Sequence, residues 1–336
     1  MLSSTLDSLL IGLLLSVQTN ADPRYNVLDG ANFPDPSIVK VHGKSYAFAT
    51  NDGAGHNIPV TSNPRFRKAS GWSEITDAFP TKGVPAFEEG GWAVEGTTWA
   101  PDVNHLTDYD GSFAMYYSPA LQSNDAIHCI GLARSKKVEG PYNDSSTAPL
   151  ICPQEAGGAI DASGYLDDDN KRYILYKIDG PAANNGGYCN SPDNPPSLNT
   201  SLMLQRVKHD AATTIGGPVV LYNNRGIEDS YNVEAPTIVK SKDGIYFLFF
   251  SFGCYSDNSY ATSYVTSTHG IAGPYGKRKN LLRTGDFGLF APGGADIDEK
   301  SGNVVFQSSK TSGTIDDGRV LNTGKIILKG RSASLK

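Results

Sequence analysis

The stretch "EAPTIVKSKDGIYFLFFS" (residues 234–251) decides the fold of this 336-residue chain. An acid beside Ala-Pro opens it, a short β-branched run follows, and a Lys-Asp-Gly turn leads into an aromatic run. β-Branched and aromatic residues favour strands, and Asp-Gly between two apolar runs is typical of a hairpin. The stretch therefore predicts two antiparallel strands with an acid at the head of the first.

Four other stretches repeat this pattern. They are "DPSIVKVHGKSYAFAT" (35–50), "APDVNHLTDYDGSFAMYYS" (100–118), "DASGYLDDDNKRYILYKI" (161–178) and, more weakly, "GGADIDEKSGNVVFQSS" (293–309). Their second strands begin at Tyr46, Phe113, Tyr173, Tyr246 and Val304, which gives spacings of 67, 60, 73 and 58 residues. Units of this length suit a four-stranded blade better than a solenoid rung. We predict an all-β, single-domain, five-bladed β-propeller.

The composition limits the partners of the chain. Hydrophobic residues make up 39% and charged residues 19% of the sequence, as in globular proteins. The formal net charge of −6, without a Lys/Arg cluster, argues against nucleic acid binding and favours a neutral or weakly charged partner. After residue 21 no run is apolar enough to span a membrane.

The first twenty-one residues differ from the rest. The run "LLIGLLLSV" (9–17) is too short to cross a bilayer, and Thr19 and Ala21 form a small-x-small pattern behind it. We expect a signal peptide at 1–21, a propeller at 22–336 and a secreted, extracellular protein.

Four cysteines agree with export. Cys129, Cys152, Cys189 and Cys254 can form two disulfides in three pairings. Their order in the chain alone favours Cys129–Cys152 and Cys189–Cys254.

Three acids occupy equivalent places in the repeat. In a propeller the first strand of each blade lines the central channel, so Asp35, Asp161 and Glu234 should converge there, whereas Asp102 and Asp296 align one or two positions further in. The two prolines flanking Asp35 predict a stiff, extended segment. Converging carboxylates repel one another, which favours a functional role over a structural one.

Paired carboxylates suit acetal hydrolysis. One arrives protonated and gives its proton to the leaving oxygen, while the other, ionised, activates water or attacks the sugar. A third can orient the proton donor and raise its pKa. Calcium sites made only of carboxylates usually have closer spacing in the chain, so a metal site is the weaker interpretation.

The chain resembles glycoside hydrolase family 43 over residues 25–330. The resemblance lies in "FPDPSIVK", "GAIDAS", "VEAPTIVK", "TTWAPDV" (97–103) and two "GPY" turns. It implies an inverting mechanism in which Asp35 is the general base, Glu234 the general acid and Asp161 the pKa modulator. Inversion would place the carboxyls of Asp35 and Glu234 roughly 6.5–9.5 Å apart.

The resemblance departs from the family in the last blade. Many relatives have a histidine in the stretch that corresponds to "APGGADID" (291–298), and another position that is often histidine is Gln307 here. A calcium held by a channel histidine is therefore not supported. We expect no metal and no cofactor.

Aromatic residues near the motifs could stack on a sugar ring. The candidates for substrate binding are Phe33, Trp92, Trp99 and Phe252, of which Trp99 and Phe33 lie closest to motif acids.

The resemblance implies a polysaccharide or oligosaccharide substrate, with α-L-arabinofuranosidic bonds of arabinan or arabinoxylan favoured, and we expect a monomer. Three alternatives stay open. They are a β-xylosidase or another glycosidase of the family, a retaining fructan-cleaving propeller, and a sugar-binding propeller without catalysis.

Overall fold

Each of the five repeated stretches forms the two inner strands of one antiparallel sheet in the computed structural model, which describes residues 23–66, 68, 70–180, 189 and 200–336. The predicted all-β, five-bladed propeller is confirmed. Within the described residues there is no α-helix. The 3₁₀ turns among the described residues include Pro85–Phe87, Gln154–Ala156, Gly226–Asp229 and Asp286–Gly288.

Four of the blades have four strands in chain order, from the channel outward. Blade 1 consists of β1 (Ser37–Val41), β2 (Lys44–Phe48), β3 (Pro59–Asn63) and β4 (Thr76–Asp77). Blade 3 consists of β10 (Ala159–Leu166), β11 (Arg172–Ile178), β12 (Leu202–Val207) and β13 (Val219–Tyr222). Blade 4 consists of β14 (Val233–Lys240), β15 (Tyr246–Phe252), β16 (Ala261–Ser267) and β17 (Lys279–Leu282). Blade 5 consists of β18 (Phe290–Asp298), β19 (Asn303–Thr311), β20 (Thr314–Lys329) and β21 (Ser332–Leu335).

Blade 2 departs from the expected four strands. Its sheet consists of β5 (Trp99–His105), β6 (Phe113–Ser118) and β9 (Gly131–Ser135), and a side hairpin is formed by β7 (Ala120–Leu121) and β8 (Asn124–His128). The outer strand is reduced to one bridge, in which Arg134 and Asn143 exchange backbone hydrogen bonds of 2.8 and 2.9 Å. Pro141 lies two residues before Asn143 and has no N–H to extend the pairing.

Apolar side chains that point alternately to the two faces of each strand fill the space between neighbouring blades. Five buried apolar clusters lie at the five blade–blade interfaces. In β15, for example, Phe247 and Phe249 pack toward blade 5, while Leu248 and Phe250 pack toward blade 3. Successive side chains of a strand point to opposite faces, so one aromatic strand supports two interfaces.

The ring closes through the segment before β1. Arg24 and Thr323 of β20 exchange hydrogen bonds of 2.7 and 2.8 Å, and Phe33 N donates to Arg319 O at 2.8 Å. The first blade is thereby joined to the last, and the segment leads directly to Asp35.

The predicted disulfides Cys129–Cys152 and Cys189–Cys254 are both present. They close loops with sequence separations of 23 and 65 residues, so both restrict the unfolded chain.

The predicted signal peptide at 1–21 lies outside the described residues. Among the residues that are described, no helix is long and apolar enough to cross a membrane.

Candidate active site

A left-handed residue recurs at the head of every inner strand. The residues and their φ angles are Asp35 (48°), Ala100 (40°), Asp161 (59°), Ala235 (50°) and Gly294 (58°). Outside glycine this region is sparsely populated, although Asp tolerates it better than most residues. The prolines that flank Asp35 predict an extended backbone, and this prediction is wrong. The backbone of Asp35 is left-handed, because the bend at this position turns the chain into the channel.

Three of the acids meet at one end of the channel. Asp35, Asp161 and Glu234 line a cavity of about 430 Å³ to which all five blades contribute. We call this space the channel cavity. Glu234 precedes the left-handed residue of its blade, whereas Asp35 and Asp161 occupy that position themselves. The convergence expected from the repeat is thus present.

Asp35 is held by groups from blades 1 and 5. Oδ1 of Asp35 accepts a hydrogen bond from Arg319 Nη1 at 2.8 Å, and Oδ2 accepts one from Thr50 Oγ1 at 2.7 Å. The backbone N–H of Asp35 donates to Oε1 of Gln307. The guanidinium and the hydroxyl together fix the orientation of both carboxyl oxygens of Asp35.

Glu234 lies against a buried ammonium. Oε2 of Glu234 accepts hydrogen bonds from Lys177 Nζ at 3.0 Å and from Asn232 Nδ2 at 2.9 Å, and the Tyr260 hydroxyl also bonds to this carboxyl. Burial by itself would raise the pKa of Glu234, but Lys177 and these hydrogen bonds outweigh it and hold the pKa below its usual range.

The pKa of Asp161 is shifted in the opposite direction from that of Glu234. Its Oδ2 accepts a hydrogen bond from Ala235 N at 2.9 Å. Burial and then the neighbouring Glu234 carboxylate raise the pKa of Asp161 to about 8. The pKa values of the two neighbouring carboxyls are thus shifted in opposite directions, upward for Asp161 and downward for Glu234.

A second polar layer lies below the acids, two residues after the left-handed residue of each inner strand. Its members are Ser37, Asp102, Ser163, Thr237 and Asp296, all of which line the channel cavity. Burial and then Asp296 raise the pKa of Asp102 to about 8, although Gly164 N donates to its Oδ2 at 2.8 Å. Asp102 thus carries a proton near neutral pH.

The substitution Asp102→Asn should flatten the dependence of stability on pH. An acid whose pKa is higher in the folded than in the unfolded state stabilises the fold at low pH, and that contribution disappears as pH rises from about 4 to about 8. Each unit of pKa shift corresponds to about 1.4 kcal/mol, so at pH 9 the melting temperature of the variant should exceed that of the wild type by several degrees. Thermal unfolding at pH 5, 7 and 9 measures this, with exposed Asp243→Asn as control. Parallel curves for wild type and Asp102→Asn would contradict the protonated state of Asp102.

The four predicted aromatic residues lie in different environments. Trp99 lines the channel cavity, is 38% exposed, and stacks on buried His128 with ring centroids 3.5 Å apart. Phe33 is fully buried at the interface of blades 5 and 1 and presents no ring face to the cavity. Trp92 is buried at the interface of blades 1 and 2, and Phe252 is buried beneath the guanidinium of Arg278. We therefore retain only Trp99 as a candidate sugar platform.

Several site residues escaped the sequence reasoning. They are Thr50, Lys177, Tyr260 and Arg319. A lysine within the apolar strand "YILYKI" was a usable signal, because lysine is rarely buried without a partner. Arg319 lies in a polar stretch far along the chain and gave no such signal.

The rim of the cavity is built by two connected loops. The β19–β20 hairpin carries Arg319 into the cavity, and its turn contacts Asn258 from the β15–β16 loop. Asn258 Nδ2 donates to Ser312 Oγ at 2.8 Å, and Gly313 N donates to Asn258 Oδ1 at 3.0 Å. Asn258 thus joins blade 4 to blade 5 above the acids.

The substitution Asn258→Ala should loosen this rim. Losing both hydrogen bonds frees the hairpin that positions Arg319, and we expect KM to rise about 3- to 10-fold while kcat changes less. Steady-state kinetics measures the effect, with Asn170→Gly as control in the β10–β11 turn at the far end of the channel. An unchanged KM in Asn258→Ala would show that the rim does not contribute to binding.

In the part of the chain that the structure describes, no three His, Cys, Asp or Glu side chains are grouped as a metal site requires. Gln307, where relatives often have histidine, accepts hydrogen bonds from Asp35 N and Arg319 Nη1 through Oε1. Gln307 thus contacts both Asp35 and Arg319.

Comparison with known proteins gives a consistent result. The model of the family "Glycosyl hydrolases family 43" matches residues 26–314. A beta-D-galactofuranosidase of Aspergillus niger is 27% identical over 252 residues, covering 68% of this chain, while the chain spans only 62% of that relative. A thermostable family-43 glycoside hydrolase superposes with a TM-score of 0.70 at 23% identity, covering 91% of this chain and 93% of the other. For an endo-arabinanase of Bacillus licheniformis the TM-score is 0.63 at 23% identity, with 90% and 97% covered.

Proposed function

Because the chain belongs to glycosyl hydrolases family 43, we propose that it hydrolyses α-L-arabinofuranosidic bonds of plant cell-wall arabinan and arabinoxylan with inversion at the anomeric carbon. One observation carries the proposal. Three acids from three different blades meet in the channel cavity, and each has a different set of partners.

Asp35 acts as the general base in this proposal. Its contacts with Arg319 and Thr50 fix the orientation of the carboxylate. A water on Asp35 gives up a proton to the carboxylate while its oxygen attacks the anomeric carbon from the face opposite the leaving group. That attack inverts the configuration.

Glu234 acts as the general acid. As the glycosidic bond breaks, the carboxyl gives its proton to the departing oxygen, which would otherwise leave as a poor alkoxide. Asp161 completes the pair, because a single proton is shared between two neighbouring carboxyls. Its backbone contact with Ala235, the residue after Glu234, connects the two acids directly.

The arabinan assignment is supported by the motifs in the inner strands and by Trp99 at the rim of the cavity, where a sugar ring can stack. A β-D-galactofuranoside is the second candidate, because the Aspergillus niger relative bears that name. A β-xyloside is the third, since the family resemblance includes β-xylosidases.

The decisive experiment compares these substrates. Purified protein is incubated with linear 1,5-α-arabinan, arabinoxylan, xylan and an aryl β-D-galactofuranoside, and products are followed by chromatography and by NMR of the newly formed anomer. Release of arabinose or arabino-oligosaccharides as the β anomer supports the proposal. The retained anomer would favour a fructan-type retaining mechanism, and binding without products would favour a sugar-binding propeller.

The proposal includes secretion and action as a monomer. The two disulfides support an oxidising compartment. Detection of the mature chain in culture medium, lacking residues 1–21, tests the predicted leader.

A further inference from the structure

Lys177 is a buried ammonium inside the proposed active site. It lies on β11, opposite Ile160 of the inner strand, and its side chain is 4% exposed. Nζ is 3.0 Å from Glu234 Oε2 and 3.5 Å from Asp179 Oδ1. Buried lysines need such partners, and breaking a buried pair leaves an uncompensated charge.

The contacts of Lys177 make the two oxygens of Glu234 unequal. Oε2 accepts both the Lys177 ammonium and the Asn232 amide, at 3.0 and 2.9 Å. A proton on Oε2 would face two donors, so the proton of the carboxylic acid belongs on Oε1.

The charges around the pair also determine where the resting proton lies. The titratable groups that face Glu234 or Lys177 are Asp161, Asp179 and Tyr260, while Asp35, which is paired with Arg319, faces Asp161. Lys177 faces Glu234 directly, and Arg319 is paired with Asp35. Asp161 accepts a hydrogen bond from the Ala235 N–H, and the charge of Lys177 acts on it more weakly than the neighbouring Glu234 carboxylate does.

We propose that Lys177 is a positioning residue that holds Oε2 of Glu234, directs the catalytic proton to Oε1, and keeps the resting proton on Asp161 until substrate is bound. This inference rests on the proposed role of Glu234 as the acid. It adds a step before bond cleavage, in which the proton moves from Asp161 to Oε1 of Glu234 and leaves Asp161 ionised.

The protons balance over one turnover. Glu234 gives its proton to the leaving oxygen, and the attacking water gives one proton to Asp35. Asp35 then releases that proton to solvent, and Asp161 takes one up from solvent. No other reactant is needed.

The test follows Glu234 in the free protein, so it does not depend on the substrate. Glutamate is labelled with ¹³C at Cδ, the Glu234 signal is assigned by its loss in Glu234→Gln, and its chemical shift is titrated by NMR. In the wild type we expect Glu234 to be ionised at neutral pH. In Lys177→Met its titration should move upward by roughly one to three pH units, because an opposite charge in contact is lost.

Two further variants keep the result interpretable. The double variant Lys177→Met/Asp179→Asn removes one positive and one negative charge, so it should fold even if Lys177→Met does not. The same upward shift of the Glu234 titration is expected in the double variant. In Asp179→Asn, Lys177 is retained and the Glu234 titration should stay low. A wild-type Glu234 that is protonated at neutral pH would overturn the proposal, as would a titration that Lys177→Met/Asp179→Asn leaves unchanged.

Kinetics provides the second readout. If the glycosidase assignment holds, the alkaline limb of kcat/KM should shift upward in Lys177→Met/Asp179→Asn, and Lys240→Met, at the opposite end of the inner strand, should leave it in place. An NMR shift without any hydrolysis in the wild type would refute the proposed function while leaving the electrostatic role of Lys177 intact.

Discussion

Replacing Glu234 by glutamine is expected to lower kcat/KM on arabinan by about 10²- to 10⁴-fold, the usual contribution of general acid catalysis. Glutamine keeps the length and the hydrogen-bond acceptor of the side chain, so Lys177 and Asn232 still have a partner. What it cannot supply is the proton for the leaving oxygen. The loss should therefore be much smaller on an aryl glycoside with a nitrophenolate leaving group, which departs without protonation.

The control for this variant is Glu299→Gln. Glu299 accepts hydrogen bonds from Tyr165 and from the Lys240 backbone at the other end of blade 5's inner hairpin. Its replacement should leave kcat/KM nearly unchanged. Equal losses by Glu234→Gln on arabinan and on the aryl glycoside would exclude a proton-donor role for Glu234.

Replacing Asp35 by asparagine should have an effect of similar size, about 10²- to 10⁴-fold, but with a different signature. The amide cannot take a proton from water, and it leaves the Arg319 guanidinium without its carboxylate. Because water must be activated whatever group departs, the loss should be the same on arabinan and on the aryl glycoside. Comparison of kcat/KM on the two substrates measures this.

Asp167→Asn is the matched control for Asp35. Asp167, like Asp35, has a cation and a hydroxyl as partners, Lys240 at 3.1 Å and Tyr246 at 2.6 Å, but it is buried and lies at the far end of the channel. We expect lower stability and retained activity. If Asp35→Asn lost activity only on arabinan, Asp35 would be a binding residue and the base would have to be sought elsewhere.

Most of the fold could be predicted because each repeat has local sequence patterns that indicate its strands and turns. The hairpin turns, the aromatic strands and the acids at strand heads all follow from residue type and alternation. Blade 2 was the exception, since its outer strand is reduced to the bridge between Arg134 and Asn143. Nothing local to the sequence showed that the chain would use a side hairpin instead.

The aromatic contacts could not be predicted in the same way. Phe33 is only two residues from Asp35, but its backbone pairs with Arg319 and its ring turns into the interface of blades 5 and 1. Trp99 occupies the repeat position of Glu234 and does line the channel cavity. Nearness in sequence is therefore a weaker guide than position in the repeat.

The closing segment joins parts of the molecule that are far apart in the chain. Gln307 and Arg319, which hold Asp35, follow it by 272 and 284 residues. A chain that stops after blade 4 would have Asp35 without the Arg319 guanidinium. The proposed hydrolytic activity should therefore appear only when the segment at Arg24 has joined β20, and variants truncated before β20 should be inactive.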